Sequence, residues 1–312
     1  MDNQFSIIIT TYNDEKKVND FFSSVKSQSI QPNYIIVVDG GSKDNTVQEI
    51  RKIQSKMIVS TFIIVDEYKR LNISQGFNEG IRHCPTEKIF LMGVGNTYPQ
   101  NFFEEMLLTM NTTKSDIIQC ILKGIDATPF AKAFNTAFLK TKGLKPANRG
   151  VLINKAVFEK IGGFYENFIY AGEDAEFFIR TKKRSIASSR TENTYVNWDT
   201  PINFKEYMKK NQVNAIADIQ WLPWSKLFIN IISRIAIIIF TIIFTIIFCK
   251  TVYPYLLLIL LVAFIIYKIK SFNLKAILLR LHFMFLPAYL YLKNIKLFKK
   301  KYIVYSSDVP KI

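Results

Sequence analysis

The chain has 312 residues, enough for one large domain or two smaller ones, and 49% of them are hydrophobic. The formal net charge is +16, and the basic excess lies beside long apolar runs in the last third of the chain. That distribution favours an anionic membrane surface as a partner over nucleic acid. The three cysteines show no Cys-x-x-Cys spacing, which excludes a disulfide framework and a cysteine zinc site.

The N-terminal half alternates short apolar runs with amphipathic stretches. The runs are typical of buried parallel strands because they are continuous, rich in β-branched residues and bounded by polar ones. The predicted strands are Phe5–Thr10, Tyr34–Asp39, Met57–Val65 and Lys88–Met92. The predicted helices run from Asn13-Asp14 to about Gln28, from Asp44 or Asn45 onward, and over Ile73–Cys84. This alternation predicts a doubly wound parallel α/β sheet, which binds ligands at the carboxyl ends of its strands.

The middle of the chain, from about Asp116 to Trp221, mixes strand and helix patterns. We interpret it as the acceptor-side half of the same domain. The composition then changes sharply after Pro223. We therefore predict a catalytic domain over residues 1–224 and a membrane region over residues 225–312.

Two apolar runs dominate the C-terminal region. Leu227–Cys249 is long enough to cross a bilayer, and Thr251–Tyr267 is short but uncharged. Basic residues flank the outer ends of the pair, which predicts a hairpin with both ends cytoplasmic. Ala276–Leu292 is predicted to be an interfacial amphipathic helix, and the basic stretch Asn294–Tyr302 to lie on anionic headgroups. A buried helical core is the disfavoured alternative, since a core helix of this length would show a polar face.

The N-terminus has no basic segment and only a short apolar run, so it does not resemble a signal peptide. The expected location is therefore the plasma membrane, with the catalytic domain on the cytoplasmic side.

The motifs at the strand ends carry the functional signal. Neither a Gly-x-Gly-x-x-Gly fingerprint nor a P-loop is present. The first two strands lead into TTYNDE (Thr10–Glu15) and VDGGSKDNT (Val38–Thr46). NISQGFNEGI (Asn72–Ile81) follows, and then Gly150–Arg180, which contains Gly-Gly-Phe and Glu-Asp. In this order, over residues 5–200, the motifs resemble those of family 2 glycosyltransferases, which have the GT-A fold.

The resemblance implies a nucleotide-sugar donor, expected to be UDP-linked, at the strand ends. Asp39 can accept hydrogen bonds from the uracil or ribose, and Tyr12 can stack or hydrogen-bond. A turn aspartate and an Asx cap are the alternative interpretation of these motifs. The residues expected on the nucleotide-sugar side are Thr10, Thr11, Tyr12, Asn13, Asp39, Arg70, Asn78, Gly93 and Gly95.

Asp174, in AGEDAEFF, matches the family's catalytic base. Inverting transfer needs a carboxylate that takes the proton of the acceptor hydroxyl. The like charges of Glu173 and Glu176 would raise the pKa of Asp174. Glu173 and Gly163 are expected on the acceptor side. The alternative is an acid-rich helix N-terminus that the helix dipole favours.

The chain departs from the family at the metal site. The family's Asp-x-Asp motif should follow the fourth strand, where this chain has Gly93-Val94-Gly95, and Asp199 does not stand in the matching place of the later ligand. No metal ligand is therefore predicted, and Mg²⁺ or Mn²⁺ would need other ligands. Three interpretations stay open: metal-independent transfer, a metal held unconventionally, and loss of catalysis. Without a metal, cations must neutralise the diphosphate; the candidates are Lys69, Arg70, Lys140, Lys142 and Arg149.

The Gln-x-x-Arg-Trp motif of processive family members is missing, because no Arg lies between Gln212 and Trp221. Single-sugar transfer is therefore expected. The leading hypothesis is inverting transfer from a UDP-sugar to a lipid-linked saccharide or similar glycolipid in cell-surface polysaccharide synthesis. The alternative is a catalytically inactive nucleotide-sugar-binding or scaffold protein of the same fold at the membrane.

Overall fold

The computed structural model describes residues 4–57, 61–66, 70–139, 148–168 and 171–221, together with eight positions between 232 and 243. These residues form two compact units. Residues 4–125 and 148–199 belong to the first unit, apart from the gaps given above. The second unit contains residues 126–139, 200–221 and the eight later positions.

The first unit is built on one eight-stranded sheet with strand order β3-β2-β1-β4-β7-β6-β8-β5. The elements of both units, in chain order, are β1 (Phe5–Thr11), α1 (Glu15–Lys26), β2 (Tyr34–Asp39), α2 (Thr46–Gln54), β3 (Thr61–Asp66), α3 (Ile73–Arg82), β4 (Lys88–Gly93), β5 (Asn96–Thr97), α4 (Phe102–Thr113), β6 (Ile117–Gly124), α5 (Pro129–Phe138), β7 (Val151–Asn154), α6 (Ala156–Ile161), α7 (Glu173–Lys183), β8 (Ser188–Trp198) and α8 (Phe204–Trp221).

The N-terminal half of the sheet confirms the predicted alternation of strands and helices. β1, β2, β3 and β4 are parallel neighbours, and α1, α2 and α3 connect them in chain order. The third strand was predicted over Met57–Val65, and the structure describes it over Thr61–Asp66.

The C-terminal half of the sheet, for which no strand directions were predicted, adds antiparallel pairs. β7 lies antiparallel to both β4 and β6, and β5 lies antiparallel to β8. Only β6 and β8 add a further parallel pair. The physical reason is that β7 starts at the edge of the sheet where β4 ends, so it can pair with β4 only in the opposite direction.

Alternating side chains place a hydrophobic core on each face of the sheet. In β1, Ile7 and Ile9 pack on one face with α1, α2 and α4, whereas Ile8 packs on the other face with α3, α6 and α7. The period of two in a strand makes this division, and it leaves the strand ends as the polar rim.

The second unit contains a compact aromatic cluster. Tyr207 of α8 is buried, and the rings of Phe130, Phe134 and Phe138 of α5 lie about its own ring at centroid distances of 6.1 to 6.2 Å. Thr128 begins α5 by accepting a hydrogen bond from the Ala131 backbone N–H.

Within the described part of the chain, no helix combines the length and the hydropathy that crossing a bilayer requires. The predicted membrane segments lie mostly or wholly outside that part. They are Leu227–Cys249, Thr251–Tyr267, Ala276–Leu292 and Asn294–Tyr302, and the predicted boundary at residue 224 also lies outside it.

Candidate active site

One edge of the sheet collects most of the residues that the sequence singles out. Thr11 at the end of β1 is in register with Asp39 at the end of β2, and Thr10 is in register with Gly93 at the end of β4. The N–H of Gly150, just before β7, donates to the Leu91 carbonyl oxygen at 2.8 Å. The segment that enters β7 therefore reaches the same edge.

The loops after β1 and β2 are hydrogen-bonded to each other. Asn13 adopts a left-handed φ of 55°, which asparagine tolerates better than most residues. Its backbone N–H donates to Ser42 Oγ at 2.9 Å, and its Oδ1 accepts from the Lys43 N–H at 2.8 Å. The N–H of Gly40 donates to the Thr11 carbonyl oxygen at 2.8 Å. The two loops thus form one continuous wall of the site.

Asp39 shapes this wall from within. Its carboxylate accepts from the backbone N–H groups of Gly41 at 2.9 Å and Ser42 at 2.8 Å, and from Ser42 Oγ at 2.6 Å. Gly41 has a φ of 79°, a conformation that favours glycine. Asp39 is only 2% exposed, so these contacts give it a turn-closing role. A contact of Asp39 with the nucleotide stays a prediction.

Tyr12 and Arg70 form a stacked pair at the rim. The Arg70 guanidinium carbon lies 3.5 Å from the centroid of the Tyr12 ring, at cation–π distance. Arg70 Nη1 also donates to the carbonyl oxygens of Gly40 at 3.1 Å and Leu71 at 2.8 Å. Arg70 therefore supports the β2 loop and covers one face of the tyrosine ring.

The loop after β4 lies beside a lysine that the sequence did not single out. Gly95 has a φ of 96°, and Asn96 Nδ2 braces the loop by donating to the Gly93 carbonyl oxygen at 2.9 Å. Lys17, in the first turn of α1, forms an ion pair with Asp199. A Cβ atom at position 95 would lie 3.5 Å from both Lys17 Nζ and Asp199 Oδ2. Position 95 thus faces an ion pair.

These residues do not fit a divalent cation. Gly93 and Gly95 offer no side-chain oxygen where the family's Asp-x-Asp motif is expected. Among the residues that the structure describes, no three His, Cys, Asp or Glu side chains are placed to share a metal ion. Asp199, which lies beside Gly95, holds the ammonium group of Lys17.

Two neighbouring carboxylates begin α7 in different environments. Glu173 is 7% exposed, and burial, together with the negative charge of Asp174, raises the pKa of Glu173 to about 8. Asp174 is partly exposed, and its Oδ1 accepts from the Ala175 N–H at 2.7 Å. The raised pKa that the sequence suggests for Asp174 stays a prediction.

Arg149 links α7 to the loop after β4. Its positive charge acts on Glu173, and its guanidinium carbon lies 4.7 Å from the centroid of the Trp198 ring. Trp198 immediately precedes Asp199, the partner of Lys17. The charge of Arg149 therefore acts on the start of α7, while its guanidinium group lies over the residue next to Asp199. The other predicted cations, Lys69, Lys140 and Lys142, lie outside the described residues.

Two further predicted site residues, Asn78 and Gly163, form hydrogen bonds around the segment that leads to α7. Asn78 of α3 is fully buried, and its amide exchanges hydrogen bonds of 2.8 Å with the backbone of Phe164. The carbonyl oxygen of Gly163 accepts from Arg180 Nη2 of α7 at 2.6 Å. Arg180 also forms a two-pronged ion pair with Glu176. Asn78 and Gly163 therefore position the segment before the carboxylates.

The fold and the arrangement of this edge define the GT-A class of glycosyltransferase folds. Residues 6–177 match the sequence model described as Glycosyl transferase family 2, a span of more than half of the chain. The chain therefore belongs to glycosyl transferase family 2.

Solved structures share this fold at low sequence identity. A fragment of S. aureus TarS superposes with a TM-score of 0.51 and 17% identity over 69% of this chain. This chain spans just under two thirds of that fragment, 65%. The mannosyltransferase PcManGT from Pyrobaculum calidifontis, solved with GDP-Man and Mn²⁺, gives a TM-score of 0.55 and 15% identity, covering 69% of this chain and 62% of its own.

One relative is named for its reaction. It is dolichyl N-acetyl-alpha-D-glucosaminyl phosphate 3-beta-D-2,3-diacetamido-2,3-dideoxy-beta-D-glucuronosyltransferase from Methanococcus voltae. It is 24% identical over 228 residues, which cover 67% of this chain and 70% of that protein.

Proposed function

We propose that this protein transfers a sugar, with inversion, from a UDP-sugar to a lipid-linked saccharide acceptor in cell-envelope polysaccharide synthesis. Family membership supports the sugar transfer. The Methanococcus voltae relative, named for a dolichyl-phosphate-linked substrate, supports the lipid-linked acceptor. A TarS structure in complex with UDP-GlcNAc supports a UDP-linked donor, although GDP-Man in PcManGT shows that this fold accepts other nucleotides.

A single observation carries the proposal: the contacts that join the strand-end loops to the N-terminus of α7. The loops after β1 and β2 form one wall at the edge where β4 ends. Arg149 and Trp198 connect Glu173 to Asp199 beside Gly95. A donor held by its nucleotide at the loops would then present its sugar toward Asp174.

The chemistry follows from the two carboxylates. At neutral pH, Glu173 holds its proton, because its pKa is about 8. A protonated Glu173 cannot act as the base, so that role falls to the partly exposed neighbouring carboxylate, Asp174. Asp174 takes the proton of the acceptor hydroxyl, whose oxygen forms a bond to the anomeric carbon. The bond from that carbon to the diphosphate breaks on the opposite side, and its electron pair leaves with the nucleoside diphosphate.

The Asp174→Asn variant tests this role. It keeps the shape of the side chain and removes the base, so transfer should fall by about 10²- to 10⁴-fold while nucleotide binding is kept. Transfer from a panel of UDP- and GDP-sugars to a polyprenyl-diphosphate saccharide is the measurement. Asp20→Asn, an exposed change on α1, is the control and should keep full activity. Undiminished turnover by Asp174→Asn would exclude Asp174 as the base. Nucleotide binding without turnover by the wild type would indicate the inactive binding protein.

We also propose that the protein works at the cytoplasmic face of the plasma membrane. The described positions between 232 and 243 are helical and exposed, and most are large apolar side chains: Ile232, Ile235, Ile239, Phe240, Ile242 and Ile243. They belong to the run Leu227–Cys249, which is apolar at almost every position and carries one charge, Arg234. A lipid environment is the one that fits an apolar helix in a strongly basic chain region.

A further inference from the structure

We propose that Lys17 is the fixed cation that binds the diphosphate of the donor, in the place where a divalent metal is expected in this family. The inference rests on the proposed function, since it assumes a nucleotide-sugar donor. It assigns to α1 a role in donor binding that no sequence motif indicated.

The position of the ammonium group carries the inference. A side chain at residue 95 would begin 3.3 Å from Lys17 Cδ and 3.5 Å from Lys17 Nζ. Residue 95 is one of the two positions aligned with the Asp-x-Asp carboxylates. The lysine therefore fills the space into which a metal-binding carboxylate would extend from this loop. Because glycine has no side chain, the ammonium group can approach the loop closely.

Stability gives only a weak reason for a lysine at position 17. It lies in the first turn of α1, where the helix dipole disfavours a cation. Its ion pair with Asp199 is solvent-accessible, with 49% and 38% of the two side chains exposed. Exposed pairs of this kind contribute little to stability.

The two candidate cations from the sequence that the structure describes, Arg70 and Arg149, are engaged elsewhere. Arg70 donates to two backbone carbonyl oxygens and covers the ring of Tyr12. Arg149 lies over Trp198, and its charge acts on the Glu173 carboxyl group. Lys17 has three N–H donors, of which Asp199 takes one. Two donors can therefore face phosphate oxygens.

The chemical role is electrostatic. As the bond to the anomeric carbon breaks, negative charge builds up on the diphosphate, and a fixed ammonium group stabilises it. The proposed role involves no proton transfer, so the departing nucleoside diphosphate carries away only the electron pair of the broken bond. The role of Asp199 is to position Lys17.

Binding of UDP to the full-length protein, measured by calorimetry in EDTA, tests the inference. The wild type should bind UDP in EDTA, and added Mn²⁺ should not strengthen that binding. Lys17→Met should weaken UDP binding by about 10- to 100-fold, the range expected for a lost hydrogen bond to a charged group. Uridine, which lacks phosphate, should bind both proteins equally. Lys16→Met is the matched control, because Lys16 is the exposed neighbour on the same helix turn.

The possible failures are distinguishable. Equal UDP affinity of Lys17→Met and the wild type would overturn the inference alone, as would UDP binding that EDTA abolishes and Mn²⁺ restores. A wild type that binds neither UDP nor GDP under any condition would overturn the proposed function and the inference with it. If Asp199 positions Lys17, Asp199→Asn should change UDP affinity in the wild-type background and have no further effect in Lys17→Met. Additive effects of the two changes in the double variant would show that Asp199 does not act through Lys17.

Discussion

At the scale of single residues, the charge state of Glu173 makes stability depend on pH. Burial raises the pKa of Glu173 to about 8 in the folded protein, from its ordinary value of 4.5. Between these two values the folded state holds a proton that the unfolded state has lost. Raising the pH through this window therefore destabilises the fold, by up to about 1.4 kcal/mol for each pH unit. Below pH 4.5 the penalty is absent.

The Glu173→Gln variant should remove this dependence. Glutamine has no proton to lose, so the variant should unfold at a higher temperature than the wild type at pH 8.5, and the difference should shrink toward pH 5. Thermal melts at the two pH values provide the measurement. Glu192→Gln, an exposed change on β8, should show no such pH-dependent difference. A constant difference between Glu173→Gln and the wild type across the range would contradict the assigned pKa.

Single residues also show where sequence reasoning reaches its limit. The sequence predicted site roles for Asp39 and Asp174 because each stands in a short motif of consecutive residues. Lys17 was missed because its partner Asp199 is 182 residues away, and no local pattern joins them. One signal was available: a lysine in the first turn of a helix, against the helix dipole. The hydrogen bonds of Asp39 to its own turn agree with the alternative interpretation of its motif, a turn aspartate.

At the scale of elements, the glycines of α3 allow the helix to lie close against the sheet. A Cβ atom at Gly80 would lie 2.3 Å from Ile8 Cγ2, and one at Gly76 would lie 2.8 Å from Thr10 Cγ2. Both distances are too short for carbon atoms that are not bonded. Asn78, between them, fastens the other side of α3 to the segment that leads to α7. The spacing of α3 from β1 therefore affects both the nucleotide edge and the position of Asp174.

Gly80→Ala should destabilise the protein although alanine favours helices. Replacing glycine by alanine within a helix favours folding by about 1 kcal/mol, whereas overpacking a buried contact costs about 1–3 kcal/mol of stability. Because Ile8 is fully buried in the sheet and cannot move aside, Gly80→Ala should cost more stability than Gly76→Ala. Urea midpoints of the two variants and the wild type provide the measurement. A Gly80→Ala protein at least as stable as the wild type would show that α3 can move away from β1 freely.

The elements themselves differ in how far sequence specifies them. The strands β1, β2 and β4 were predicted because their apolar runs are continuous and flanked by polar turns. The direction of β7 was not predicted, because its four residues carry no pattern that separates a parallel strand from an antiparallel one. Its orientation is set by the long-range contact of Gly150 with the end of β4. β5, with only two residues, is defined by its pairing with β8 alone.

At the scale of the whole molecule, the charge is distributed very unevenly along the chain. From Ser225 to the end the sequence has thirteen Lys and Arg residues and one acidic residue, Asp308. Most of the net charge of +16 therefore belongs to the last third, where the apolar runs also lie. Near an anionic surface each basic residue contributes about 1 kcal/mol, and the effect reaches only about one Debye length. The apolar contribution to membrane binding does not depend on salt in this way.

The full-length protein should therefore bind vesicles by two separable forces. In 0.1 M salt it should bind vesicles containing phosphatidylglycerol more tightly than neutral phosphatidylcholine vesicles, and in 0.5 M salt this preference should shrink while binding to both persists. Co-sedimentation measures the bound fraction. Replacing the three lysines at 299–301 by Gln should reduce the anionic preference, whereas Gln at Lys26, Lys43 and Lys160 of the first unit should leave it unchanged. Equal binding to both vesicle types in 0.1 M salt would show that the basic residues do not face the lipid. Apolar contacts alone would then hold the protein at the membrane.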